Sequence, residues 1–180
     1  MATICVFCAS ATAIDERWLE LGREVGAAIA ARGHRLVSGG GCVGMMGTVA
    51  AGARAGGAHT LGVIPQRLVE LEVADSDADE LIITDDMTAR KLVMMERAEA
   101  YLVLPGGLGT LDELFEVWTT ATLGLHATPI VLLDADGFYD GLMEWLRGLV
   151  DQKFVRPEAF ALVQVARTLD EALDVIERFV

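Results

Sequence analysis

Three observations predict an α/β fold, a Rossmann-like doubly wound parallel sheet of about seven strands with helices on both faces. Short apolar runs alternate with helical patterns from end to end of the chain. The runs are rich in Val, Ile and Leu with little polar alternation, as befits strands covered on both sides. Two strand-to-helix junctions are rich in glycine, and such folds bind ligands at the carboxyl ends of their strands. The 180 residues are about one domain's worth of chain, enough to bury roughly 70% of the unfolded surface.

The first strand is the apolar run Thr3-Ile4-Cys5-Val6-Phe7-Cys8, with a helical pattern over 15–32 behind it. A second strand at 35–38 passes through a glycine loop into a helix over 44–55. Strands at 60–64 and 80–83 flank the least regular stretch, 69–79, whose many Asp and Glu residues mark a surface loop or lid. A helix over 86–98 leads to a strand at 100–104, and a second glycine loop leads on to a helix over 111–123. Strand 130–133, helix 138–150, strand 161–165 and helix 169–179 complete the pattern. With no internal repeat, low-complexity tract or Pro/Gly-rich linker, residues 1–180 are expected to form one domain.

Composition narrows the function. The chain is 53% hydrophobic and 23% charged, too apolar for disorder. Its 14 Lys and Arg stand against 27 Asp and Glu, a net charge of -13. That field repels phosphate backbones, so no nucleic-acid partner is expected, while a compact phosphorylated metabolite held by local donors is allowed. Cys5 and Cys8 form a C-x-x-C, but residues three apart on a strand face opposite ways, and a redox pair wants its second thiol at a helix start. They read as core cysteines, and no metal site is expected from three Cys and three His. The odd cysteine count and the lack of a secretory signal predict a reducing, cytoplasmic setting. No uninterrupted apolar span of 18 residues occurs, so no membrane segment is expected.

The first glycine loop is Ser38-Gly39-Gly40-Gly41-Cys42-Val43-Gly44-Met45-Met46-Gly47. Glycines let backbone N–H groups converge on an anion, and the helix that follows adds positive potential. Gly39, Gly41 and Gly44 satisfy G-x-G-x-x-G, yet no Asp or Glu lies between Gly44 and Glu70 to hold a dinucleotide ribose. A tight turn with close helix–sheet packing is the lesser, alternative reading of the loop. The second is Leu104-Pro105-Gly106-Gly107-Leu108-Gly109-Thr110-Leu111-Asp112-Glu113, a nest for a phosphate. It lacks the lysine of a Walker loop.

Glu113 has two readings. Thr110-x-x-Glu113 spells a capping box, and Thr168-Leu169-Asp170-Glu171 repeats the spelling before the last helix with no glycine near it. What sets Glu113 apart is the adjacent glycine nest, from which a carboxylate one turn into a helix can act on the sugar of a nucleotide. A cation would balance it. Arg90 and Arg97, seven apart, share roughly one face of the 86–98 helix, and Lys91 points elsewhere. Arg97 reads as solvated, whereas Arg90 lies at the sheet edge of both loops.

These motifs resemble the Lonely Guy family, the cytokinin riboside 5'-monophosphate phosphoribohydrolases, some relatives of which carry an older lysine decarboxylase label. The pattern P-G-G-x-G-T-x-x-E stands complete at Pro105 to Glu113, and G-G-G-x-x-G-x-M-G stands at Gly39 to Gly47. The likeness runs from Val6-Phe7-Cys8 through Leu123-Gly124-Leu125-His126 to Asp136-Gly137-Phe138-Tyr139. It implies a homodimer or larger assembly whose partners help to build the site, a nucleoside 5'-monophosphate as substrate, and no cofactor. The catalytic pair falls on Arg90 and Glu113. Substrate contacts fall on Gly39, Gly40 and Gly41, on Glu72 and Lys91, on Gly106, Gly107, Leu108, Gly109, Thr110, Leu111 and Asp112, and on Thr119. Three positions depart from the pattern: Thr88 replaces a His, Ala9-Ser10 replaces Gly-Ser, and Thr119-Thr120 replaces Thr-Trp. The preferred base, adenine or an N6-substituted adenine, stays open.

The expected reaction is hydrolysis of the N-glycosidic bond to free base and ribose 5-phosphate. Glu113 stabilises the oxocarbenium-like ribose and activates water, and Arg90 orients the nucleotide. A decarboxylase of the usual type needs pyridoxal phosphate on a lysine. The chain has only Lys91 and Lys153, the latter far from both loops. The rival reading is a non-catalytic nucleotide or cofactor carrier of the same fold.

Overall fold

The computed structural model describes residues 1–71 and 73–180. Seven strands form one sheet in which every pairing is parallel: β1 (Thr3–Phe7), β2 (Arg35–Ser38), β3 (Thr60–Pro65), β4 (Glu80–Thr84), β5 (Ala100–Val103), β6 (Ile130–Leu133) and β7 (Val163–Ala166). Their spatial order is β4-β3-β2-β1-β5-β6-β7. The chain winds outward from β1 in one direction and then, from β5, in the other. The crevice of such a fold opens where that order reverses, at the carboxyl ends of β1 and β5.

Helices α1 (Glu16–Ala31), α2 (Gly44–Ala55) and α8 (Leu169–Glu177) cover one face. Helices α4 (Met87–Arg97), α5 (Leu108–Thr122) and α6 (Asp140–Asp151) cover the other. Alternation along β1 feeds both cores. Ile4, Val6 and Cys8 enter the first and Cys5 and Phe7 the second, so the two thiols are buried on opposite sides of the sheet. No helix among the described residues is long and apolar enough to cross a membrane.

Several boundaries differ from expectation, each for a local reason. A short helix α3 (Gln66–Glu70) follows Pro65 and takes the start of the irregular 69–79 stretch. A second short helix α7 (Pro157–Phe160), with Pro in its first turn, delays β7 to Val163 rather than 161. The third shift matters most: α5 begins at Leu108, three residues before the expected 111, with Gly107 as its N-cap in a non-helical conformation.

Candidate active site

The early start of α5 is enforced from both sides of the turn before it. Leu104 donates its N–H to Phe7 (2.9 Å), and Ala9 donates to the Pro105 carbonyl (3.2 Å), which ties the exit of β5 to β1. Thr110 is buried and packs beneath Gly106, where a Cβ would collide with its side chain. Leu108, Gly109 and Thr110 thus become the first three helical residues, whose N–H groups have no acceptor within the helix. The macrodipole adds positive potential at the same point.

The capping-box reading of Thr110 and Glu113 is therefore corrected. Glu113 lies in the second turn, and α5 has no side-chain cap. Because helical side chains lean toward the N-terminus, its carboxylate is carried back over the first turn, into a cavity of about 440 Å3 between the two glycine loops. That volume suits a small-molecule site.

Arg90 reaches the same cavity from α4, whose N-cap Asp86 accepts the Ala89 N–H at 2.8 Å. The Arg90 side chain is 8% exposed. Its Nε donates to the Val63 carbonyl (3.1 Å) and its Nη2 to the Gly39 carbonyl (3.2 Å). Nη1 stands 3.8 Å from Glu113 Oε1. Gly39 leaves room for Arg90 in this position, since a Cβ there would fall on the guanidinium. Gly40 has a φ of 70°, the left-handed region that favours glycine. Burial pushes the Glu113 carboxyl up to about 7, and the Arg90 charge offsets part of that rise. Near neutral pH the group is poised between acid and base.

A strap supplies the third wall. Cys42 donates to Val73 O and Asp75 donates to Gly40 O, both at 2.8 Å, with an antiparallel bridge between Gly41 and Ala74. Buried Asp75 pairs with Arg54 at 2.6 Å. The strap and α3 bring Val73 and Leu68 to the cavity, where Ile64, Met46 and Met87 extend an apolar side. That side was not anticipated, because the pairing of Gly41 with Ala74 leaves no local pattern. Met87, at the head of the Arg90 helix, was the nearest available hint.

The structure gathers Gly39, Gly41, Gly107, Leu108, Gly109, Thr110 and Asp112 around Arg90 and Glu113. The other expected contacts lie elsewhere. Gly40 and Gly106 are turned behind their loops, and Leu111 packs toward the second core. Lys91 is drawn to Asp112 (3.0 Å) and Glu116 (2.6 Å). Hydrogen bonds to Glu116 and then to Asp112 raise its ammonium above the ordinary value. Thr119 lines a separate crevice with Phe115, Trp118 and Phe160. Glu72 lies outside the described residues. Among the described residues, no three His, Cys, Asp or Glu side chains converge as metal ligands would.

The family model described as "Possible lysine decarboxylase" matches residues 46–176. A cytokinin riboside 5'-monophosphate phosphoribohydrolase of Mycobacterium tuberculosis (strain ATCC 25618 / H37Rv) is 53% identical over 171 residues, 95% of this chain and 91% of that protein. An Arabidopsis thaliana phosphoribohydrolase of the same description is 39% identical over 98% of this chain and 81% of its own. Among solved structures, the molybdenum cofactor carrier protein of Chlamydomonas reinhardtii superposes with a TM-score of 0.74 at 22% identity, covering 99% of this chain and 96% of that one. At that identity the likeness speaks to fold alone. Sequence kinship and the two glycine loops agree: this chain belongs to the Lonely Guy family of cytokinin riboside 5'-monophosphate phosphoribohydrolases.

Proposed function

We propose that this protein hydrolyses the N-glycosidic bond of adenosine 5'-monophosphates, plain or N6-substituted, to free base and ribose 5-phosphate. The observation that carries this reading is Glu113: 11% exposed, not used as a cap, and one turn along the same helix from three N–H groups that have no acceptor within it. The 5'-phosphate rests on Leu108, Gly109 and Thr110. One helical turn is about 5.4 Å, which sets the carboxylate over the ribose when the phosphate is anchored at the helix start. As the C1'–N bond breaks, ionised Glu113 stabilises the positive ribose and takes a proton from the attacking water. The hydroxide adds to C1', the C1'–N electron pair leaves with the base, and the proton taken up by Glu113 passes to the base nitrogen, giving neutral base and ribose 5-phosphate. Arg90 orients the nucleotide and favours the ionised carboxylate. Binding energy from the phosphate, remote from the reacting bond, positions the sugar.

Lysine decarboxylation is a poorer fit to the residues present. A Schiff-base lysine needs a depressed pKa, but Lys91 is held as an ammonium by two carboxylates. Lys153 stands in a surface turn with a φ of 65°.

The working unit we infer is a single nucleotide-binding domain that assembles as a homodimer or larger oligomer in the cytoplasm. Lys91 and Thr119 lie outside the cavity of their own chain, and Leu123, Leu125 and Phe154 are exposed beside the Thr119 crevice or on the segment following its helix. Pairing of these faces would let one copy contribute to the other's site. Three free thiols suit a reducing compartment.

Incubation with AMP and with isopentenyladenosine monophosphate, followed by chromatography, tests the reaction. Free base from the wild type, abolished by Glu113→Gln and by Arg90→Ala, is the expected result. Tight binding without release would favour a nucleotide carrier instead.

A further inference from the structure

We infer that Tyr139 is a positioning residue for the phosphate nest, its hydroxyl fixing the turn that aims the first N–H groups of α5; this rests on the reading of that nest given above. Tyr139 is 2% exposed and stands at the N-cap of α6, outside the lining of the cavity. Its hydroxyl donates to the Leu104 carbonyl at 2.7 Å.

That bond stands where the sheet can no longer supply one. Leu104 faces β1, where its N–H meets Phe7 O at 2.9 Å, but the Ala9 N–H that would continue this ladder to the Leu104 carbonyl goes to the Pro105 carbonyl instead, at 3.2 Å. The Leu104 carbonyl is thus left without a donor from the strand beside it. Tyr139 takes the place of the missing strand donor. With Ala9 holding the Pro105 carbonyl, the entry to the nest is gripped from β1 on one side and from α6 on the other.

The phenol is itself seated firmly. The Tyr139 N–H donates to Asp134 Oδ1 at 2.7 Å. Asp134 is buried and accepts from Arg167 at 2.6 Å, and Arg167 also meets Asp140 at 2.8 Å. Phe138 packs edge-on against the ring, with centroids 4.8 Å apart. Burial holds the phenol well above its ordinary pKa, so it keeps its proton and remains a donor. Phe would fill the same core space. Only the hydroxyl acts on the turn, and small errors in positioning groups are costly to a reaction.

Calorimetric titration with AMP, ribose 5-phosphate and adenine tests the inference, with wild type and Tyr139→Phe both carried on a Glu113→Gln background so that AMP is bound but not turned over. Tyr139→Phe should weaken both phosphate-bearing ligands by about tenfold and leave adenine within about twofold. In turnover with Glu113 intact, KM for the monophosphate should rise by about the same factor with a smaller change in kcat. Equal affinity of variant and wild type for all three ligands would overturn the inference. So would a uniform loss for all three with a falling Tm, the mark of a purely structural role. Should Tyr139→Phe fail to fold, Asp134→Asn retains the hydroxyl but loosens its seat, and should show the same phosphate-selective loss at about threefold. A wild type that bound neither AMP nor ribose 5-phosphate would overturn the site reading itself, and this inference with it.

Discussion

The tetrapeptide Thr-Leu-Asp-Glu occurs twice in this chain, at Thr110–Glu113 and at Thr168–Glu171, and the two copies do different work. At α8 the motif caps. Thr168 is the N-cap, its Oγ accepts the Glu171 N–H at 3.2 Å, and the Glu171 carboxylate accepts the Arg167 N–H at 2.8 Å. At α5 the helix has already begun at Leu108, so Thr110 is buried in the first turn and Glu113 is left without a backbone partner. The difference lies upstream. Arg167 precedes one copy, while Pro105-Gly106-Gly107-Leu108-Gly109 precedes the other and lets the backbone turn tightly enough to start the helix early. Identical local chemistry becomes a cap or a carboxylate facing the cavity according to where the helix starts.

Exchanging the two glutamates for glutamine breaks the comparison most sharply. Glu113→Gln should lower base release by about a thousandfold or more, whereas Glu171→Gln should leave it within about twofold, measured on AMP under saturating substrate. The pH profile should separate the same residues. The proposed role of Glu113 requires its ionised form, so kcat/KM should rise through about pH 7 and level above it.

Gly39→Ala should come next. The new Cβ displaces the Arg90 guanidinium, and kcat/KM should fall by about a hundredfold while the fold is retained, as circular dichroism would report.

Stability should respond in opposite senses at the two motifs. A folded pKa of about 7 lies above the ordinary carboxylate value. The folded state therefore binds the extra proton between those two values, and stability falls as pH rises through that window. Glu113→Gln removes the cost of a buried charge. It should raise stability above pH 7 by an amount on the order of 2 kcal/mol, with no gain near pH 4. Thr168→Ala should lose about 1 kcal/mol from the lost cap, with activity unchanged; denaturant melts at both pH values read these effects.

Much of the fold was legible because parallel strands buried on both faces are continuous apolar runs, and all seven stood out. Helices α3 and α7 did not, since four or five residues span too few turns to show a period. The start of α5 was misplaced because the Thr-Leu-Asp-Glu spelling is a sound start signal by itself, as α8 proves. At the site, the glycine loops, Arg90 and Glu113 were readable from residue type and position. The wall of Leu68 and Val73 was not, since it depends on long-range pairing across Gly41 and Ala74. Helix periodicity turned Lys91 away from the Arg90 face, and its pairing with Asp112 and Glu116 agrees, but the side on which Thr119 stands depends on how α5 is rotated against the sheet and was not readable.

The central claim is that Glu113 acts on substrate rather than on its own helix. Measuring base release from AMP and the melting temperature of Glu113→Gln together, above pH 7, tests it most directly. The account predicts that turnover is lost while the melting temperature holds or rises. Turnover preserved, or turnover and melting temperature collapsing together, would contradict it.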